Sequence, residues 1–265
     1  MTTARVNGID LYFERAGSGP RTLFLNGSGS SLANTGFLVA PFVEHLDVVA
    51  YDQRGMGLSD VPPAPYAMAD YAADALALLD HLGWDQCRVV GVSFGGMVAL
   101  ELAVTRPERV ERLALLCTSS GGEGGSSYPL HALAAMTPAE RRVIRRSILD
   151  TRFDEPWLAD HPMDKLIDET WALRGEAPRS EREQHGESRQ IEARRHHDVW
   201  ARLPAIACPT YVACGRYDGI APVANSEAIA SRIPGAELRV YEGGHAFFMQ
   251  DRSALPDIVS FLKSG

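Results

Sequence analysis

Two kinds of apolar pattern alternate along the chain. Short runs at Thr22-Leu23-Phe24-Leu25, Val48-Val49-Ala50-Tyr51, Cys87 to Val92, Leu113 to Cys117, Thr210 to Cys214 and Glu237 to Tyr241 are bounded by polar loops and predict strands. Longer stretches between them carry helical spacing. From Met68 to Leu82, residues Tyr71, Ala75, Leu78, Leu79 and Leu82 share one face, and Gly83 stands where a helix C-cap glycine belongs. Phe94 to Thr105, Pro222 to Ile233 and Ala254 to Lys263 read the same way, the first stopped by Pro107. Near the N-terminus, Arg5 to Tyr12 predicts a hairpin around Asn7-Gly8. Strands and helices alternating at this spacing predict βαβ units, hence an α/β fold with a mostly parallel sheet.

Residues 121–202 break the alternation. They open on Gly121-Gly122-Glu123-Gly124-Gly125-Ser126-Ser127, a composition suited to a flexible hinge. From Glu140 to Arg202 the chain carries 13 Lys and Arg against 14 Asp and Glu, a balance expected of paired, solvated helix surfaces rather than of a cationic clamp. Trp157, Trp171 and Trp200 require a surface to bury against. The segment is therefore expected to form a helical cap, hinged at its glycines and gating a site on the sheet. Residues 1–120 and 203–265 form the core.

Composition narrows the function. With 45% hydrophobic and 23% charged residues, the 265-residue chain is an ordinary globular sequence. No apolar run reaches the roughly 18 residues of a membrane span, and the N-terminus shows no signal-peptide pattern. A net charge of −8 argues against nucleic acid as a partner. Cys87, Cys117, Cys208 and Cys214 lie outside metal-ligand spacing; all but Cys208 sit in or beside apolar runs and read as buried free thiols. The expectation is a cytoplasmic protein with a small-molecule substrate and neither a membrane nor a nucleic-acid partner. Oligomeric state leaves no trace in the sequence.

The chemistry centres on Gly91-Val92-Ser93-Phe94-Gly95, a G-x-S-x-G between a strand and a helix. There Ser93 is presented at the C-terminal edge of the sheet, beside a helix N-terminus that favours developing negative charge. A serine hydroxyl needs a base. His245, in Glu242-Gly243-Gly244-His245, follows the last strand and is the candidate. The base needs an orienting acid, and Asp218 follows the Thr210 to Cys214 strand at the same sheet edge. Asp218-Gly219 is also a common turn pair, and Glu123 is the rival acid. His196-His197 would offer a metal site only weakly, because neighbouring helical side chains diverge by about 100°.

The order Ser93, Asp218, His245 resembles the α/β-hydrolase fold. The likeness extends to Leu25-Asn26-Gly27-Ser28-Gly29, similar to the family's oxyanion loop, and to Tyr51-Asp52-Gln53-Arg54-Gly55-Met56-Gly57-Leu58-Ser59, similar to its D-x-R-G-x-G-x-S segment. Within the superfamily the chain is most similar to small esterases and lactonases of the 3-oxoadipate enol-lactonase type. The resemblance implies an acyl-enzyme on Ser93, an oxyanion hole from the Ser28 and Phe94 amides, and no metal or cofactor. It implies a structural role for Asp52 and Arg54. Asn26 stands where many relatives have His. Carbon–carbon bond hydrolysis of ring-cleavage products would use the same triad. A non-catalytic small-molecule receptor is the alternative outside enzymology. Haloalkane and epoxide chemistry on this fold needs Asp at position 93.

Overall fold

The computed structural model describes residues 2–176 and 180–264. Eight strands, β1 (Thr2–Val6), β2 (Ile9–Ala16), β3 (Arg21–Leu25), β4 (Asp47–Tyr51), β5 (Cys87–Val92), β6 (Val110–Leu116), β7 (Thr210–Gly215) and β8 (Glu237–Tyr241), form one sheet. Their order is β1-β2-β4-β3-β5-β6-β7-β8. β2 pairs antiparallel with β1 and β4; the remaining neighbours are parallel. The β1–β2 turn places Asn7 and Gly8 at φ 47° and 78°, the left-handed pair whose twist matches a two-residue hairpin.

Alternation along each strand sends successive side chains to opposite faces. Leu23, Leu25, Val49, Val89, Leu113, Leu115 and Val212 build one core, covered by α2 (Met68–His81), α3 (Phe94–Thr105) and α8 (Val223–Arg232). Phe24, Val48, Ala50, Val90, Ala114, Leu116 and Ala213 build the other, under α1 (Leu32–Val43) and α9 (Ala254–Lys263). Helix α3 is buried from Phe94 through Ala103, as a helix apolar on all sides must be. Helix α1 escapes a reading by periodicity, because Gly36 and Pro41 interrupt its pattern; a Ser31–Asn34 capping box starts it. No helix among the described residues is long and apolar enough to cross a membrane.

Between β6 and β7 lie α4 (Pro138–Leu149), α5 (Glu155–Asp160), α6 (Pro162–Glu176) and α7 (Glu181–Arg195), with 3-10 turns at Gly122–Gly124, Leu130–Ala135 and Trp200–Ala205. Residues 177–179 of the expected cap lie outside the described residues. Leu149, Phe153, Leu158 and Ile167 form a small core with Trp157 and Trp171, and Ala246 closes it; Trp200 packs on the main core. The glycine-rich entry differs from the expected hinge. Gly121 pairs with Asp198, the Val199 amide donates to the Ser120 carbonyl at 2.9 Å, and a Cβ on Gly124 would overlap Ser120 and Trp200. Close packing, rather than freedom to swing, accounts for these glycines.

Helix α7 is polar and mostly exposed, yet Gly186, Gln190, Ala193 and Arg194 form a buried stripe. Gly186 rests directly on Gly55, where a Cβ would overlap the Gly55 carbonyl. Arg182 donates to the Ser59 carbonyl and Arg189 Nη1 to the Pro62 carbonyl, the latter at 2.6 Å. Gly186→Ala should force the helix off this seat and cost about 1–3 kcal/mol of stability. Gly36 is exposed and a Cβ there meets no atom within 4 Å, so Gly36→Ala should stabilise by about 0.5–1 kcal/mol. Denaturant melts of the two variants read this contrast; equal stabilities would contradict the Gly55–Gly186 contact.

Candidate active site

Strand β5 reverses into α3 within one residue. Ser93 takes φ 54° and ψ −113°, a left-handed backbone that a non-glycine residue adopts only when its surroundings impose it. The surroundings are close. A Cβ on Gly95 would overlap the Leu25 carbonyl, and one on Gly91 would meet the Gly95 backbone, so both positions flanking the serine must be glycine. The Ser93 amide donates to the Leu116 carbonyl at 2.8 Å, and Thr118 Oγ1 donates to the Ser93 carbonyl at 2.8 Å.

His245 follows β8, with Nε2 3.0 Å from Ser93 Oγ and Nδ1 2.8 Å from Asp218 Oδ2. Asp218 is 4% exposed, and its Oδ1 accepts the Ile220 and Ala221 amides, each at 2.8 Å. One carboxylate oxygen thus builds the turn while the other faces the imidazole. The turn contacts and the imidazole contact belong to the same side chain. Glu123 is engaged elsewhere, accepting the Trp200 indole N–H at 3.1 Å.

The loops carrying Asp218 and His245 hang on the end of α4. The His245 amide donates to the Leu149 carbonyl at 2.6 Å, the Gly219 amide to the Ile148 carbonyl at 3.0 Å, and the Thr151 amide to the Tyr217 carbonyl at 2.9 Å. Asp150 is buried and accepts Gln250 Nε2 at 2.9 Å, while Gln250 Oε1 accepts the Gly244 amide at 2.8 Å. Sequence reasoning missed this support. Its one signal is the apolar pair Ile148-Leu149 at the end of a charged helix.

The loop after β3 passes beside the serine; an ideal Cβ on Gly27 lies 3.7 Å from Ser93 Cβ. Among the described residues the Ser28 and Phe94 amides have no hydrogen-bond acceptor. Gln53 Nε2 donates to the Asn26 carbonyl at 2.7 Å, and the Gly29 amide donates to Gln190 Oε1 at 2.7 Å. The Asn26 side chain is buried and has no partner among the described residues. Asp52 accepts the Leu32 and Leu58 amides at 2.6 and 2.9 Å, and Arg54 grips Asp74 through two bonds of 2.6 Å. Both residues tie loops together behind the site.

Cys117 brings its sulfur within 4.8 Å of ligand atoms of Asp218 and His245, a grouping of metal-binding type. The geometry favours another use. Both imidazole nitrogens and both Asp218 oxygens are engaged in hydrogen bonds, and burial pushes the Cys117 thiol well above its usual range, away from the thiolate a metal needs. His196 is exposed beside Glu192, whereas His197 is buried and burial pushes its pKa down to about 4. The two do not share a site. Arg194 is the unusual cation of α7. The buried Arg54, Arg88 and Arg109 face Asp74, Glu111 and Asp80, but Arg194 donates to the Tyr128 carbonyl at 2.9 Å, and burial lowers its pKa to about 10.

The strand order, the serine elbow and the loop positions are those of a hydrolase fold. The family model of the alpha/beta hydrolase fold matches residues 23–252, and the chain belongs to that family. It is similar to a poly(3-hydroxyalkanoate) depolymerase of Ectopseudomonas oleovorans, with 30% identity over 91% of this chain and 83% of that protein. It is also similar to 3-oxoadipate enol-lactonase 2 of Acinetobacter baylyi, with 28% identity over 85% of this chain and 82% of that protein. The enol-lactonase structure from Burkholderia xenovorans shares the fold at a TM-score of 0.80, with 23% identity over 99% of this chain and 100% of that one.

Proposed function

We propose that the chain is a serine hydrolase that cleaves a small to mid-sized carboxylic ester or lactone through an acyl-enzyme on Ser93. The observation that carries this reading is the continuous chain from Asp218 through His245 to Ser93 Oγ, at 2.8 and 3.0 Å, ending on the left-handed elbow. Ser93 Oγ attacks the carbonyl carbon while His245 Nε2 takes its proton. Asp218 fixes the imidazole tautomer and stabilises the imidazolium. The tetrahedral oxyanion rests on the Ser28 and Phe94 amides, each donor contributing about 3 kcal/mol. His245 returns the proton to the leaving alcohol, then activates the water that releases the acid. The names of the two relatives, a polyester depolymerase and a lactonase, support acyl chemistry at such a centre. Four free cysteines support a reducing compartment, so a cytoplasmic location is part of the proposal.

A fluorophosphonate probe should label Ser93, and Ser93→Ala should lower kcat by about 10⁴-fold or more. Asp218→Asn should lose activity while Glu123→Gln keeps it. Labelling at another serine, or wild-type turnover by Ser93→Ala, would remove the nucleophile from this account.

Substrate charge is tested separately. The cap's balanced charges favour a neutral substrate, and Arg194 is tied to a loop carbonyl. A neutral lactone should therefore exceed its carboxylated analogue in kcat/KM. A preference of more than about tenfold for the carboxylate, about 1.4 kcal/mol, would instead show a cationic pocket.

A further inference from the structure

The oxyanion loop is held at both ends. Gln53 fixes the Asn26 carbonyl, and Gln190, 161 positions beyond Gly29 in the chain, fixes the Gly29 amide at 2.7 Å. Ser28 lies between these points, and Gly29 leaves it in the left-handed region at φ 68°. The two peptide groups that meet at Ser28 are the one carrying its own N–H and the one carrying the Gly29 N–H. Holding the second therefore limits how the first can turn.

Neither core packing nor docking of α7 explains Gln190. It is fully buried on an otherwise polar helix, where an apolar residue would fill the space without desolvating an amide. The Gly55–Gly186 contact and the bonds from Arg182 and Arg189 already seat the helix. Gln190 Nε2 is buried and has no partner among the described residues, so the Gly29 bond alone orients the side chain. We propose that Gln190 is a positioning residue through which cap helix α7 aims the Ser28 amide at the oxyanion. The substrate does not have to touch Gln190 for this to work. The proposal rests on the serine-hydrolase reading above.

The test measures the fluorophosphonate labelling rate at Ser93 and the hydrolysis of p-nitrophenyl butyrate, both expressed per folded molecule. Gln190→Met keeps the reach and the packing but removes the acceptor. It should slow labelling and lower kcat by about tenfold to a hundredfold, with KM within about threefold of wild type. Gln190→Glu, which restores an acceptor oxygen at the same reach, should recover most of the rate. A residue that only stabilises the fold would lower the melting temperature and leave both rates intact, and that result for Gln190→Met overturns the proposal. Should Gln190→Met not fold, Gln190→Asn carries the test: one methylene short of Gly29, it should show the same loss, and wild-type rates in it overturn the proposal. A wild-type protein that is not labelled at Ser93 overturns the serine-hydrolase reading itself, and this inference with it.

Discussion

The carbonyl oxygens of Ile148 and Leu149 tie down the two loops that follow β7 and β8. Strands β7 and β8 deliver Asp218 and His245 to one edge, but a strand end fixes only where a loop begins. A proton relay needs its donor and acceptor atoms about 2.6–3.2 Å apart. The short stretch from Ile148 to Thr151 adds a constraint, with one bond to the His245 amide and two to the backbone beside Asp218. Asp150 and Gln250 extend it to Gly244. The loops that carry Asp218 and His245 are thus tied to a segment far away in sequence.

The insertion therefore cannot be understood as a lid resting on a finished site. Its α4 end is bonded to the loops of Asp218 and His245, and its α7 stripe to the loop after β3. Its two ends are stapled at Gly121 and Asp198. The buried surface of α7 is small and polar, so its seat depends on the close Gly55–Gly186 approach and on hydrogen bonds more than on apolar area. The same helix that is seated by these contacts carries Gln190, whose Oε1 accepts the Gly29 amide of the loop after β3.

Much of this was legible in the sequence, for a physical reason. Buried parallel strands need apolar runs, and a strand-to-helix reversal at Ser93 needs glycine at 91 and 95, so β5, α3 and the elbow are visible as local patterns. Asp218 and His245 follow from their places after strands. The α/β architecture follows from alternation. The supports that the inserted segment gives were not legible. Backbone carbonyls such as Leu149 leave no mark on residue identity, and Gln190 sits in a charged helix where a glutamine looks like one more exposed side chain. Glycines at 121–125 suggested freedom because composition does not distinguish a loose tether from a crowded turn.

These bonds should make the inserted segment and the loops of Asp218 and His245 open as one cooperative unit. Native-state hydrogen exchange reads this, because the Gly219 and His245 amides donate to carbonyls of the inserted segment rather than to the sheet. These two amides should exchange together with Thr151, at rates that follow the opening of the α4 end. Protection at Gly219 and His245 that persists while the 148–151 stretch exchanges many-fold faster would contradict it.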